Sequence, residues 1–524
     1  MLPTRRVQWH SRIGIAVTAR AIGASFCDKT RNYQELLTLT WDGDMFFHQF
    51  YDQALAQASY LIGCQATGEA IVIDALRDPG PYLAVAAREG LRITHCTETH
   101  IHADFVSGAR ELCAATGAQL FLSAEGGRDW QYAFAAADHA VLLHDGDRIT
   151  VGNLHFDVRH TPGHTPEHLS FIVTDTPAGV GPMGIVTGDF VFVGDVGRPD
   201  LLEKAAKIAN TMEEGAHTLF QSLQRFRALP DHLQVWPGHG AGSACGKSLG
   251  AVPSSTVGYE KRANWGAATT DEGEFVRMVL EGQPEPPRYF AEMKRINRDG
   301  PPILGAPATA AELPPTEVLG MTDSSLWLID LRLAADFAAS HIPRSLSVPS
   351  SRSFSTYVGS IVPYAAEIVL LADGEGEAAN AQAQSCLHDL SLIGLDRVRG
   401  WMPAGAALAM WGAAERPLAT VVQHTTAEFH AGAARGATIL DVRGQTEWEA
   451  GHMPGARHIP LGDVVDRWRE LPEGAVLVHC QAGGRSAIAA SLLQRLGKEA
   501  VSNLQGGYAA WRTVRDAVSA DLTA

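Results

Sequence analysis

The sequence predicts an α/β chain of several domains, and three observations predict it. At 524 residues the chain exceeds what one hydrophobic core of about 100–200 residues serves. Residues 45–270 alternate short β-branched runs with helical stretches. Beyond residue 312, a unit of roughly 100 residues occurs twice.

Residues 1–44 are expected to be an N-terminal extension outside the fold. The part up to Cys27 carries Arg5, Arg6, Arg12 and Arg20 and no acid, as a targeting peptide would, but its apolar run IGIAV is too short for a secretory signal. From Met45 the pattern sharpens. YLIGC and EAIVIDAL read as paired strands with a turn at Gln65–Gly68, and LRITHCTETH as a buried strand running into a polar loop. ADFVSGARELCAATG reads as a helix ended by Gly117, with Leu112 and Cys113 inward. LHFDVRHTPG, HLSFIVT and MGIVTGDFVFVG are three more strand-to-loop units. Over 271–312 the PEPP, GPP and LPP motifs predict a linker. The repeat follows, as modules 313–415 and 420–524. LIDLRLAADFAASHIPRSLSVP (328–349) aligns without gaps on ILDVRGQTEWEAGHMPGARHIP (439–460). It matches Asp330 to Asp441, Arg332 to Arg443, Phe337 to Trp448 and His341 to His452.

Composition narrows the partners. A net charge of −16 argues against nucleic acid and anionic membranes, both of which need basic patches. No run of 18 apolar residues occurs, so no membrane-spanning helix is expected. The seven cysteines, 27, 64, 96, 113, 245, 386 and 480, are scattered without a CxxC pair. That pattern suits a reducing cytoplasm better than a disulfide framework.

His100, His102, Asp104, His164, Asp189 and His239 follow one another as HxHxD…H…D…H, each after a strand. Loops at strand ends let such side chains converge on a metal. The set resembles the metallo-β-lactamase superfamily, which implies an αββα sandwich with metal at one sheet edge. The superfamily motif HxHxDH departs here at Phe105, which cannot ligate, so a full binuclear zinc site is not expected. Two histidines and a carboxylate leave open positions, as in non-haem Fe(II) oxygenases. Within the superfamily the chain resembles persulfide dioxygenases. That resemblance implies one Fe(II) per chain held by His100, His164 and Asp189, with His102, Asp104 and His239 orienting ligands and waters. VGDVGRPDL (193–201) fits the same branch. There Arg198 either binds a carboxylate of the thiol cofactor or places the Asp189 loop, with Asp200 holding it. In PGHGAGSACGKS (237–248), Cys245 is either a sulfur relay or a small buried residue.

The second repeat carries VLVHCQAGGRSAIAASLLQRLG (476–497): a strand ending at Cys480, a glycine-rich loop, then a helix near Ser486. Backbone N–H groups of Gln481, Ala482, Gly483, Gly484 and Ser486 are placed to cradle an anionic sulfur, with Arg485 adding charge. The module resembles rhodanese. Four residues between Cys480 and Arg485, rather than the five of related phosphatases, suit one sulfane sulfur. In the first repeat Asp373 replaces the cysteine and no arginine follows, so a rhodanese-like module without catalysis is expected; Cys386 falls in a later helix.

Together the parts resemble a persulfide dioxygenase fused to tandem rhodanese modules. The resemblance implies an αββα sandwich, then two α/β rhodanese-like domains, and a sulfide-detoxification enzyme. A glutathione- or coenzyme A-type persulfide would be oxidised by O2 to sulfite and thiol. Cys480 would move sulfane sulfur between persulfide, sulfite and thiosulfate in either direction. A homo-oligomer, dimer or tetramer, is expected from the same resemblance. The alternatives are a zinc-dependent glyoxalase II-like thioester or lactone hydrolase with accessory rhodaneses, and a non-oxidative sulfur carrier.

Overall fold

Two six-stranded sheets stack face to face in the first half of the chain, among the residues that the computed structural model describes. Those are residues 44–521 apart from 180, 202–210, 284, 307 and 322–324, and without the side chains of 516–521. The arginine-rich segment and Cys27 lie outside the described residues.

The first sheet runs Met45–Asp52, Gln57–Cys64, Glu69–Ile73, Arg92–Thr97, Gln119–Ser123 and Val141–Leu143, side by side in that order. The second runs Arg148–Val151, Leu154–His160, Leu169–Asp175, Gly184–Gly188, Gln234–Pro237 and Ser255–Thr256. Tyr60, Ile62, Ile71 and Ile73 of one sheet meet Phe156, Val158, Phe171 and Val173 of the other in a shared core. Gln57–Cys64 is buried at every position because its other face is also covered, which explains the apolar run Tyr60–Ile62 without alternation. Helices Gly80–Arg88 and Ala109–Thr116 cover the first sheet. Helices Thr211–Arg227 and Glu272–Leu280 cover the second. The result is the αββα sandwich.

Two readings need correction. The helix expected from Ala103 begins only at Ala109 and ends at Gly117 in the left-handed region, while Asp104–Ser107 stay irregular. The amide of Ser107 donates to Asn297, and that of Val106 to the carbonyl of Leu392, so this backbone is bonded outward instead of into a helix. The segment 271–312 is not a free spacer. Phe275 and Val279 of Glu272–Leu280 pack into the second sheet's outer core, and Met293 of helix Phe290–Asp299 is fully buried. The prolines mark the breaks between packed helices, not slack.

The repeat reappears as two parallel sheets. Leu346–Ser347, Leu326–Asp330, Glu367–Ala372 and Val398–Pro403 form one. Val422–His424, Val501–Leu504, Val476–His479, Thr438–Asp441 and Arg457–His458 form the other. Matched residues make matched contacts. Arg332 pairs with Asp330 and Arg443 with Asp441, each at 2.7 Å. The Phe337 and His341 rings stack at 3.8 Å, and those of Trp448 and His452 at 3.6 Å.

The first repeat packs on the sandwich through the very residue that breaks the metal motif. Phe105 is fully buried against Leu55, Leu76 and Leu392. Beside it Arg77 grips Asp396 with two hydrogen bonds of 2.6 and 2.9 Å and donates to the carbonyl of Ser391. Arg77→Ala is expected to cost about 3 kcal/mol, the low end for a buried pair because Asp396 keeps 26% of its side chain in solvent. The check is a lower midpoint in urea unfolding, with Asp396→Ala adding little more in the double variant.

Candidate metal centre and sulfur-transfer loop

Strand ends deliver the metal-type side chains to one buried point. Arg92–Thr97 leads to His100, Leu154–His160 to His164, Gly184–Gly188 to Asp189 and Gln234–Pro237 to His239. All four are at most 2% exposed. Gly188, at φ 49°, makes the turn that aims Asp189, and a Cβ there would lie 2.5 Å from Thr99.

Hydrogen bonds fix which ring nitrogen faces the point. The Thr99 hydroxyl donates to Asp74, so it accepts from His100 Nδ1 at 2.9 Å. His164 Nδ1 donates to the carbonyl of Arg198 at 3.0 Å, and His239 Nδ1 to that of Ala56 at 3.0 Å. His100 and His164 therefore turn an Nε2 lone pair inward, while Asp189 and Asp104 favour a proton on His239 Nε2. Asp189 Oδ2 is 3.8 Å from His100 Nε2 and 3.4 Å from both His164 Nε2 and His239 Nε2. Both Asp189 oxygens lack a hydrogen bond of ordinary geometry. A buried carboxylate facing three imidazoles without satisfied bonds is the donor set a cation needs. His100, His164 and Asp189 bring one ligand atom each within 4.8 Å of one another, so the residues fit a single metal ion. Burial holds the His100 and His164 imidazoles neutral at ordinary pH, as ligands must be. Burial works against charge on Asp189, but the charged His239 beside it outweighs burial and holds its carboxyl well below the usual range.

His102 turns away. Its Nε2 lies 3.1 Å from Asp74, which outweighs burial and raises its pKa to about 9. It is a charged partner of Asp74, not a member of the ligand group. Asp104 Oδ2 is 3.3 Å from His239 Nε2. Cys245, 1% exposed, joins these two in a second group whose ligand atoms also lie within 4.8 Å. Arg198 and Asp200 are fully buried and bonded to each other by two 2.7 Å contacts. Arg198 also donates to the carbonyl of Ala244, while its own carbonyl holds His164. This is the arrangement of a loop-placing pair.

Four supports escaped the sequence reading. Asp74, at the end of EAIVID, holds Thr99 and His102. His168 Nε2 accepts the Asp189 amide at 3.1 Å. Asn297 donates to the carbonyls of His102 and Phe105, and Tyr289 is buried within electrostatic reach of Asp104 and Cys245. An acid closing an apolar strand and a second histidine in HTPEH were the available signals; nothing local marks Asn297 or Tyr289.

Glu167, in the His164 loop, accepts the Ile101 amide at 2.8 Å. Burial pushes its carboxyl from 4.5 up to about 7. A raised native pKa gives a contribution that is full below about pH 4.5 and lost as pH rises through about 7. Glu167→Gln keeps the acceptor and removes the charge. The variant is expected to unfold at higher urea than wild type at about pH 8, with the difference vanishing near pH 5, up to roughly 3 kcal/mol.

The second centre lies in the last domain. Cys480 ends Val476–His479, and helix Gly484–Arg495 starts behind its loop. The Gly483 amide donates to Cys480 Sγ at 3.1 Å and the Ser486 hydroxyl at 3.4 Å. Gly483, at φ 106°, turns its N–H inward. Arg485 forks onto Glu447 at 2.5 and 2.8 Å while staying in electrostatic reach of Cys480. In the first repeat, Asp373 occupies the cysteine position and its amide donates to Gln382.

Comparison with known proteins agrees with this division. The metallo-β-lactamase superfamily matches residues 53–239, and the rhodanese-like domain matches 425–513. A metallo-β-lactamase structure from Staphylococcus aureus is 42% identical, with a TM-score of 0.61 over 69% of this chain and 99% of that one. Hydroxyacylglutathione hydrolase of Rhodospirillum rubrum is 33% identical over 34% of this chain, which spans 60% of that relative's length. Human mitochondrial persulfide dioxygenase ETHE1 is 28% identical over 37% of this chain and 68% of its own. Among the described residues no helix is long and apolar enough to cross a membrane.

Proposed function

The chain belongs to the metallo-β-lactamase superfamily and ends in a rhodanese-like domain, and on that premise we propose that it oxidises a low-molecular-weight persulfide and moves its sulfane sulfur. The first reaction consumes RSSH, O2 and H2O and yields RSH, sulfite and two protons. The second takes a persulfide and sulfite to thiol and thiosulfate, or runs in reverse.

The observation that carries the reading is the ligand set itself. His100, His164 and Asp189 converge on one point, while Phe105 stands where a second metal's histidine would be. A bound iron would supply coordination for sulfur and redox chemistry with dioxygen. The protein's part is to hold the two Nε2 lone pairs and the Asp189 carboxylate in place through Thr99, the Arg198 carbonyl and His168. Phe105 and Phe192, both fully buried, keep the surroundings apolar. In the last domain Cys480 attacks the outer sulfur of a persulfide, the S–S bond breaks and the thiol leaves with the proton. Sulfite then takes that sulfur and returns Cys480 as thiolate. The Gly483 N–H and Ser486 hydroxyl hold the sulfur charge throughout. Covalent connection keeps the toxic sulfite near its acceptor.

The hydroxyacylglutathione hydrolase relatives favour a second reading, zinc-dependent thioester hydrolysis. Metal analysis of the purified chain combined with a thioester hydrolysis assay separates the two. Iron with no hydrolysis is the expected result; a zinc pair with hydrolysis overturns the proposal. The thiol that carries the persulfide is proposed to be of the glutathione or coenzyme A type, and the chain to act as a homo-oligomer.

A further inference from the structure

The first repeat carries no cysteine at the loop position, yet it grips the helix behind Cys480. The Ser347 amide donates to the Ser491 hydroxyl at 3.0 Å. Arg495 donates to the carbonyls of Arg344 and Leu326 at 2.8 and 2.9 Å and lies over the Trp327 ring at 4.0 Å. His341 and Gln494 meet at 3.1 Å. These contacts set one module against the other and fix what the first repeat presents to the second centre.

Helix Phe354–Ile361 is what it presents. Phe354 and Val358 are fully buried and share one apolar cluster with Leu461, Val464 and Cys480. Tyr357 and Ser360, three residues apart and both half-buried, share a face of that helix. Ser360 sits on the last domain: a Cβ at Gly462 would lie 3.7 Å from it. One turn earlier on the same face, Tyr357 comes within electrostatic reach of Arg485, as Cys480 does. Among the described residues the Tyr357 hydroxyl makes no hydrogen bond.

Sulfite needs a donor at this place. Its sulfur lone pair attacks the outer sulfur of the Cys480 persulfide, the S–S bond breaks, and the electron pair stays on Cys480 as thiolate. The three oxygens and their charge therefore point away from Sγ, towards the mouth of the loop. The nearer donors are already engaged. The Gly483 N–H and the Ser486 hydroxyl serve Sγ, and Arg485 shares its charge with Glu447. That fork leaves the outer N–H groups of the guanidinium to an anion but offsets much of its charge, so a further neutral donor has a task.

We propose that Tyr357, from the module without a reactive cysteine, binds the SO3 group of sulfite and of thiosulfate at the Cys480 centre, alongside Arg485. The inference rests on the sulfur-transfer reading above. Persulfides of simple thiols have no SO3 group and do not engage the hydroxyl, so Tyr357 selects sulfite over a plain thiol as the sulfur acceptor.

Intact-mass tracking of the full chain tests this, with glutathione persulfide loading Cys480 and either sulfite or glutathione unloading it. Wild type is expected to gain a sulfur atom that Cys480→Ser does not gain. Tyr357→Phe keeps the ring packing and should load from the persulfide and unload to glutathione as wild type does. Its KM for sulfite, and for thiosulfate in the reverse direction, should rise about tenfold with kcat little changed, the effect of losing one hydrogen bond to a charged group. An unchanged KM for sulfite, or an equal loss with glutathione as acceptor, overturns the proposal and leaves the sulfur-transfer reading standing. A wild-type chain that gains no sulfur on Cys480 overturns that reading and the role of Tyr357 with it.

Discussion

Asp189→Asn is expected to strip the metal from the first centre and to reduce persulfide-dependent oxygen consumption by about 100-fold or more. The substitution changes almost no volume, so the effect reports charge and ligation. Asp189 is the only carboxylate in the His100–His164–Asp189 group, and the charged His239 beside it keeps it ionised. The amide cannot offer that charge, and its NH2 would face the Nε2 lone pairs. Iron content of the purified variant and oxygen uptake should fall together. A variant with a full complement of iron and normal uptake would show that the ion is held elsewhere. His164→Ala should behave similarly, whereas His102→Ala should lower stability more than metal content, since His102 is spent on Asp74.

Cys480→Ser is expected to reduce thiosulfate:thiol sulfur transfer by about 1000-fold or more while leaving oxygen consumption in place. Serine fits the same pocket and keeps the Gly483 and Ser486 contacts available. It cannot form a persulfide, so the loss isolates covalent sulfur carriage. The first repeat has no cysteine in the equivalent loop, where Asp373 stands, and therefore offers no substitute carrier. Loss of oxygen uptake in a folded Cys480→Ser chain would mean that the two centres are not chemically separate.

The sequence carried the fold far because its signals were local and repeated. The gapless match of 328–349 with 439–460 anticipates two parallel-sheet modules, and Arg332–Asp330 and Arg443–Asp441 repeat one contact in both. THIHADF, TPGHT and TGDF each end a strand, so the meeting of His100, His164 and Asp189 follows from strand order alone. What escaped was set by tertiary packing. The proline-rich stretch 271–312 looked like a spacer because its apolar residues are sparse, yet Phe275, Val279 and Met293 are enough to bury its helices. Phe105 was legible as a missing ligand but not as the residue that Leu392 covers, since its partner lies in another domain. GRPD leaves Arg198 either a substrate contact or a placer of the Asp189 loop, and its burial against Asp200 and Ala244 favours the second.

Oxygen uptake with glutathione persulfide as sole substrate, with iron counted in the same sample, tests the central claim most directly. The account predicts about one iron per chain in the first centre and rapid oxygen consumption that releases sulfite. A zinc pair in its place, with thioester hydrolysis and no oxygen uptake, would contradict it.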